Sequence, residues 1–332
     1  GNANLLKQDA DQKQEGDCKC GSDGKQVIAQ FADNDQKAAA AAATFQVKPS
    51  NTNTSIRVLS KGDDGDVSQT NEATSNAFAG NLNLTKQDAD QKQDGGSGIQ
   101  VIAQAAKNEQ DAFALGLTFQ DGASNSNTPF RVLSKGDGGS VTQANTASSN
   151  AAALNVNLTK QDADQEQGGR KHEDGKHEDG HDCCGTGIQA IGQFAKNDQD
   201  AKAISFTVQS FKRPPCTCDP HPASGNTNSP VRVLSKGDDG DVSQANTASS
   251  DAAALNVTLT KQDADQKQDP SCKCWEAFGI QAIAQLSESE QDAAALAATF
   301  QLGASNTNKP VSLGGHKPDD HHDRHASGMD IE

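Results

Sequence analysis

The side chains in this sequence that could do chemistry are gathered in a few short segments. Eight cysteines form four close pairs, which are Cys18 and Cys20, Cys183 and Cys184, Cys216 and Cys218, and Cys272 and Cys274. An even number of cysteines in a chain of this kind favours disulfide bonds and an oxidising compartment. We therefore predict that all eight cysteines form disulfides and that the protein is secreted and extracellular. Their spacing leaves the connectivity open.

Histidines are concentrated beside acidic residues in the segment 172–184 and in the C-terminal tail. Imidazole and carboxylate groups bind zinc, copper or nickel. The predicted ligands are His172, His177, His181, His321, His322 and His325. Solvated loops rich in His, Asp and Gly have the same composition, and the sequence has no Cys-x-x-Cys framework. We therefore expect at most loose divalent-metal binding and no resident cofactor.

Acidic turns recur along the chain at 62–66 and 237–241, both of which read Gly-Asp-Asp-Gly-Asp. Their carboxylates are of the type that binds calcium. The corresponding segment 136–140 reads Gly-Asp-Gly-Gly-Ser and lacks two of those carboxylates. Turn formation accounts for all three copies, so we interpret them as turns.

The elements that position these segments are internal repeats. The string RVLSKGD begins at Arg57, Arg131 and Arg232, and KQDADQ begins at Lys7, Lys86, Lys160 and Lys261. The extra length between the second and third copies lies in two cysteine-bearing insertions, which indicates surface loops. We divide the chain into an N-terminal partial repeat (1–54), repeat 1 (55–129), repeat 2 with both insertions (130–230), repeat 3 (231–311) and a His/Asp-rich tail (312–332).

Within the repeats, every second residue is nearly constant. From Val67 to Gln93 the odd positions are almost all Gln, Asn, Ala, Ser and Thr, and the segments 141–167 and 242–268 repeat them. The intervening positions vary. A period of two is typical of a β-strand, whose successive side chains point to opposite faces. The Ala-rich run 38–43 alone would also suit a helix, but a helix would order the constant residues every three or four positions.

The length of these segments indicates the architecture. Twenty-seven extended residues span about 90 Å, whereas ordinary strands have about 3–10 residues. We predict an all-β fold, either a repetitive β-solenoid or a sheet of stacked long strands. Stacking in register would bring identical amides together and leave a thin core of Ala, Asn and Gln.

This pattern resembles the tandem repeats of bacterial curli-type fibre subunits, as in the stretches 143–149 and 161–165. It is also similar to Asn/Gln-rich secreted repeat proteins of actinobacteria. Curli-type repeats are much shorter and have a Gly between the Gln and the Asn, which these repeats lack. The resemblance implies a functional amyloid-like, self-assembling extracellular filament.

The repeats are interrupted at both ends of the sequence, because 2–8 matches the middle of a repeat and 305–311 precedes the start of another. We therefore expect copies of the chain to associate head to tail, since a non-closing contact generates filaments. Stacking would place Cys272 and Cys274 beside Cys18 and Cys20 of the next copy, where disulfides would join subunits. The N-terminal Gly1 is typical of a mature product whose signal peptide has been removed.

Composition narrows the function further. The formal net charge is −16 and no basic patch could follow a phosphate backbone, so we expect no nucleic-acid partner. No apolar run approaches the ~20 residues of a membrane-spanning helix. No catalytic motif is present, and we predict that the protein is not an enzyme. The alternatives are a monomeric β-repeat binding module, such as an adhesin or an ice- or mineral-binding protein, and a secreted metal-binding protein.

Overall fold

The computed structural model describes residues 1–15, 24–94, 98–168, 187–211, 225–269 and 279–314. Sixteen β-strands and no helices occur within these ranges. In chain order the strands are β1 (Asn2–Glu15), β2 (Gly24–Val47), β3 (Ser50–Asn53), β4 (Ile56–Val58), β5 (Val67–Asp94), β6 (Gly98–Asp121), β7 (Ser124–Asn127), β8 (Phe130–Val132), β9 (Val141–Gly168), β10 (Ile188–Ser210), β11 (Gly225–Asn228), β12 (Val231–Val233), β13 (Val242–Asp269), β14 (Ile280–Leu302), β15 (Asn306–Asn308) and β16 (Val311–Leu313).

The chain winds through four stacked coils, each of which has two long strands followed by two short ones. Coil 1 comprises β1–β4, coil 2 comprises β5–β8, coil 3 comprises β9–β12 and coil 4 comprises β13–β16. Stacking produces four parallel sheets, namely A (β1-β5-β9-β13), B (β2-β6-β10-β14), C (β3-β7-β11-β15) and D (β4-β8-β12-β16). The predicted all-β fold of stacked long strands is therefore confirmed.

The register places equivalent residues above one another. Gln8, Gln87, Gln161 and Gln262, for example, are direct partners in sheet A. We call such a set of stacked residues a row. Because parallel strands stack without any shift between repeats, the constant residues of the sequence form rows of one residue type.

Sheets A and B pack face to face, and the constant positions point inward as the alternation predicts. Gln87 is fully buried, whereas Phe78 on the other side of the same strand is 62% exposed. The interior is thin because alanines form much of it, including Ala77, Ala112 and Ala151. A second small cluster contains Ile102 and Ile191. The predicted thin core of Ala, Asn and Gln is confirmed.

The RVLSKGD segment forms the corner between sheet D and the next long strand. Leu59, Leu133 and Leu234 have φ values of 52°, 48° and 50°. A branched side chain rarely adopts this left-handed conformation, so its recurrence reflects constraint by the stacked coils. Three residues after each leucine lies a glycine of positive φ, which completes the corner.

Candidate functional site: the amide rows and the end coils

Interior glutamines such as Gln104 form bonds in two directions. Gln104 Nε2 donates to Gln30 Oε1 in the preceding coil at 2.9 Å. It also lies 3.1 Å from the main-chain oxygen of Gln87 and 2.9 Å from that of Asp162, both in the facing sheet. A primary amide has two N–H donors, and a buried polar group must find partners. The glutamines therefore bind the coils along the axis and join the two sheets across the core.

The bonds along the glutamine rows share one direction. In seven rows of the described residues, each Nε2 donates to the Oε1 of the glutamine in the preceding coil. These rows begin at Gln8, Gln12, Gln26, Gln30, Gln36, Gln46 and Gln69.

The interior asparagine rows run in the opposite direction. Asn81 Nδ2 donates to Asn155 Oδ1 in the following coil at 3.0 Å, and Asn125 donates to Asn226 at 2.9 Å. The same direction holds in the rows that begin at Asn2, Asn4, Asn51, Asn53 and Asn71 and in the pair Asn108/Asn197. The amide rows therefore give the solenoid a chemical polarity.

This polarity makes the two end coils complementary. On its outward side, coil 1 presents glutamine Nε2 donors and asparagine Oδ1 acceptors. Coil 4 presents the reverse, as Gln262 Oε1 and Asn308 Nδ2 illustrate. Among the described residues, no strand pairs with the outer edges of β13–β16 or β1–β4. Within the described residues, both end coils therefore leave a backbone edge unpaired and have opposite patterns of side-chain donors and acceptors.

Coil 1 differs from the others in sheet A. Strand β1 pairs only with the Asn81–Asp94 half of β5. Within the described ranges, the Val67–Gly80 half of β5 has no strand on its coil 1 side. We call this unpaired edge of Val67–Gly80 the open half of β5.

The KQDADQ segments form charged rows on the outer face of sheet A. In each copy the lysine forms an ion pair with the aspartate two residues later. Lys7 Nζ, for example, lies 2.6 Å from Asp9 Oδ2. The other three lysines are Lys86, Lys160 and Lys261. The next outward row is Asp11, Asp90, Asp164 and Asp265. Burial raises the pKa of Asp90 and Asp164, and neighbouring aspartates raise it further.

The cysteines that we predicted to form disulfides all lie outside the described ranges. They are Cys18, Cys20, Cys183, Cys184, Cys216, Cys218, Cys272 and Cys274. The part of the chain that the structure describes therefore contains no disulfide bond. The predicted pairing of these eight residues is not tested by the fold and stays a prediction.

The predicted metal ligands also lie outside the described ranges. They are His172, His177, His181, His321, His322 and His325, so their assignment stays a prediction as well. Elsewhere, no group of three His, Cys, Asp or Glu residues among the described residues could hold a metal ion.

The acidic turns have partners that the sequence analysis missed. Asp64 Oδ1 accepts a hydrogen bond from Arg57 Nη1 at 3.0 Å, and Asp239 Oδ1 lies 3.3 Å from Arg232 Nε. The signal was present in the sequence, because an aspartate follows the arginine of RVLSKGD by seven residues in these two copies.

Comparisons with known proteins add no assignment. No family model, no curated protein and no solved structure matches this chain. The described residues also contain no helix that is long and apolar enough to cross a membrane. A functional proposal must therefore be argued from the geometry alone.

Proposed function

We propose that the chain is an extracellular structural protein, the subunit of a self-assembling filament or surface matrix in which copies join head to tail. The complementarity of the two end coils carries this proposal. Coil 4 of one copy and coil 1 of the next would continue the same rows, with Gln262 Oε1 accepting from the next copy's Gln8 Nε2. Asparagine rows would continue with the opposite direction of donation.

The same rows disfavour the reverse arrangement. If two copies met through their coil 1 ends, their strands would run antiparallel, so the rows of identical amides would not continue across the contact. Buried donors without acceptors cost about 1–3 kcal/mol each. Head-to-tail contact satisfies both kinds of row, and a contact between unlike ends does not close, so it generates filaments.

The start points of the cysteine-bearing segments support disulfides between subunits. Glu15, Asp94, Gly168 and Asp269 are in register at one edge of sheet A. The segments that follow Glu15, Gly168 and Asp269 each contain a cysteine pair. Stacking would bring the segment after Asp269 next to the segment after Glu15 of the following copy. Non-reducing electrophoresis of assembled material should show a ladder of multimers, which collapses on reduction.

Electron microscopy and fibre diffraction of the purified full chain test assembly. Parallel coils stack about 4.8 Å apart, so four coils predict a subunit repeat of about 19 Å along the filament. We expect unbranched filaments whose diffraction pattern shows both the coil spacing of about 4.8 Å and the subunit repeat of about 19 Å. Monodisperse particles under all assembly conditions would overturn the proposal.

A monomeric binding module is the alternative that one observation favours. The outer face of sheet A carries regular hydroxyl rows, such as Thr74, Ser148 and Ser249, with a 3.1 Å bond between the first two. A flat array of this kind could match a crystal lattice. A soluble protein that saturates on ice or a mineral without forming fibres would support this function instead.

A further inference from the structure

The outer face of sheet B carries two apolar bands that a charged band separates. In β6 the outward side chains of 99–105 and 113–119 are apolar, and the outward side chains between them are charged. The register repeats this order in β2, β10 and β14, except for Lys25 and Lys202 within the apolar bands. Large apolar side chains of these bands are exposed, such as Phe31 at 63%. Large exposed apolar patches mark interaction sites, so this face is a candidate interaction surface.

A second copy of the same face has the size to cover it. The long strands of sheet B have 23 or 24 residues. Strands of this length extend about 75–80 Å and four stacked coils cover about 19 Å, so the face measures about 1,500 Å². A stable, specific interface needs about 800 Å² on each partner. Contact over little more than half of the face would therefore suffice.

The charged band is complementary to itself in one arrangement. In three of the four coils, its first and third outward positions carry opposite charges. These pairs are Asp33/Lys37, Lys107/Asp111 and Lys196/Asp200. A two-fold axis that runs along the solenoid through the central position places the first position of one copy opposite the third position of the other. Existing ion pairs on this face, such as Lys37 with Asp111, are exposed and contribute little, so these charges can pair with a second copy.

The side chains next to the charged band are complementary in size under the same axis. The position before the band is Phe31 in coil 1 and Ala105 in coil 2, whereas the position after it is Ala39 in coil 1 and Phe113 in coil 2. The axis places Phe31 of one copy over Ala39 of the other, and Phe113 over Ala105. Large side chains thus meet small ones, as they do in interdigitated sheet interfaces.

A recess of about 310 Å³ lies where this phenyl group would enter. Its lining includes Lys37, Ala39, Asp111 and Phe113. The small side chain of Ala39 leaves this space beside the Phe113 ring. A phenyl group from a second copy would fill the recess and remove apolar surface of both copies from water.

We propose that the outer face of sheet B binds the same face of a second copy of the chain. The two solenoids lie parallel, and a two-fold axis along the central row of the charged bands relates them. Phe31 of each copy occupies the recess above Ala39 of the other. This contact uses the side of the solenoid rather than its ends, so it does not rest on the proposed filament. Between filaments, it would provide lateral association.

The acidic central row determines the conditions for this contact, because its members would approach their own counterparts in the second copy. They are Asp35, Glu109, Asp198 and Glu290. Each copy also has a formal net charge of −16, so two copies repel one another at long range. Salt screens such repulsion beyond about 8–10 Å near physiological ionic strength. We therefore expect pairing to strengthen as salt is added.

Photo-cross-linking of the full chain tests the contact. The photoreactive residue p-benzoylphenylalanine replaces Phe31, and a mixture of chains labelled with different nitrogen isotopes identifies links between copies by mass spectrometry. We expect links from position 31 to the segment around Ala39 of a second copy. Within one copy these two positions lie about 26 Å apart in one extended strand, which is too far for an internal link.

The same probe separates this contact from the head-to-tail contact. Phe31 and Leu286 occupy one row, so a head-to-tail stack would place Leu286 of the preceding copy beside position 31. Links to the Leu286 segment alone would support the filament and overturn the lateral contact. Links to the Ala39 segment alone would support the lateral contact and count against the filament.

Two substitutions in this photoreactive chain test the recess. Ala39→Trp should lower the yield of links to this segment about tenfold or more, because the indole occupies the space that the phenyl group needs. Ala3→Trp is the matched control, since Ala3 is exposed in the same coil on the outer face of sheet A. We expect the control to leave the yield unchanged. Equal loss in both variants would overturn the proposal.

A charge exchange tests the orientation of the two copies. Lys107→Asp would place a carboxylate opposite Asp111 of the second copy, and Asp111→Lys would place an ammonium group opposite Lys107. Each single variant should lower the yield, and the double variant should recover it. The same yield from the single and double variants would contradict the two-fold axis and overturn the proposal. A chain without links between copies at any salt concentration would also overturn it.

Discussion

Asn81 and Gln87, six residues apart on the inner face of β5, donate their side-chain amides in opposite directions along the solenoid axis. Asn81 donates to Asn155 in coil 3 at 3.0 Å, and Gln87 donates to Gln8 in coil 1 at 2.8 Å. Opposed rows offset one another's side-chain dipoles within the core. They also give each end of the molecule a mixed pattern that only the opposite end complements.

Removing one interior amide should destabilise the fold strongly. Gln104→Met preserves the length of the side chain but deprives Gln30 Oε1 of its donor and Gln193 Nε2 of one of its three acceptors, and it removes the two bonds from Gln104 to the facing sheet. Each unsatisfied buried group costs about 1–3 kcal/mol, so we expect a loss of at least about 2 kcal/mol in chemical denaturation of dispersed protein. Lys107→Met, on the outer face of the same strand, should change stability by less than about 0.5 kcal/mol.

A charge in an end row should block assembly. Gln285 lies in coil 4 with its side chain in an interior row, and Gln285→Lys would place an ammonium group where the next copy's Gln30 must donate. We expect soluble, unassembled protein by sedimentation. Leu286→Lys adds the same charge on the outer face of the same strand, where the side chain is 58% exposed. Filaments from both variants would contradict the proposed junction.

The aspartates with raised pKa predict a gain in stability on mild acidification. For Asp90 and Asp164 the folded-state pKa lies above the unfolded value of 3.8. As the pH falls, these carboxylates therefore bind protons in the folded state before they do so in the unfolded state. Their contribution to stability therefore rises as pH falls from neutral through the raised pKa, and it stops rising below the unfolded value. Asp164→Asn should increase stability at neutral pH and reduce the gain, as measured by denaturation midpoints across pH.

Asp263 provides the opposite case. A hydrogen bond from Lys261 lowers the pKa of Asp263, so its stabilisation is present above the unfolded value and is lost as pH falls through the lower folded value. Asp263→Asn should therefore slightly reduce stability at neutral pH. A stabilising effect of this substitution in the same pH series would contradict the assigned pairing.

In a polypeptide that begins at Gly1, the open half of β5 should accept a strand in trans. Residues 141–154 of β9 pair with Val67–Gly80 along the coil 3 side of β5. A synthetic peptide with this sequence could therefore pair in the same register along the open coil 1 side. We expect this labelled peptide to co-purify with the chain. A control peptide with odd and even positions exchanged would turn its amides outward, since a shift of one residue reverses every side chain. Equal binding of both peptides would exclude recognition by register.

The sequence predicted the inward face of the long strands residue by residue. Gln69, Asn71 and Ala73 could be assigned to one face because strand geometry has a period of two, and the repeats show which face is constant. The buried state of Gln87 and the exposed state of Phe78 follow from that parity, although polarity alone would suggest the reverse. Rows of satisfied amides remove the usual cost of burying them.

Two features could not be obtained from the sequence by itself. Alternation and the internal repeats are visible in the sequence, so they determined the strands, their inner face and the recurrence of units along the chain. The direction of each amide bond and the lack of acceptors for Arg131 Nε and Nη1 among the described residues depend on which atoms the coils bring within about 3 Å of one another. From the sequence, Gly138 is an ordinary turn residue. In the stacked coils it occupies the position at which Asp64 and Asp239 supply carboxylates in the neighbouring turns. The amide bonds along the rows join residues 74 or more positions apart, and only the tertiary structure decides them.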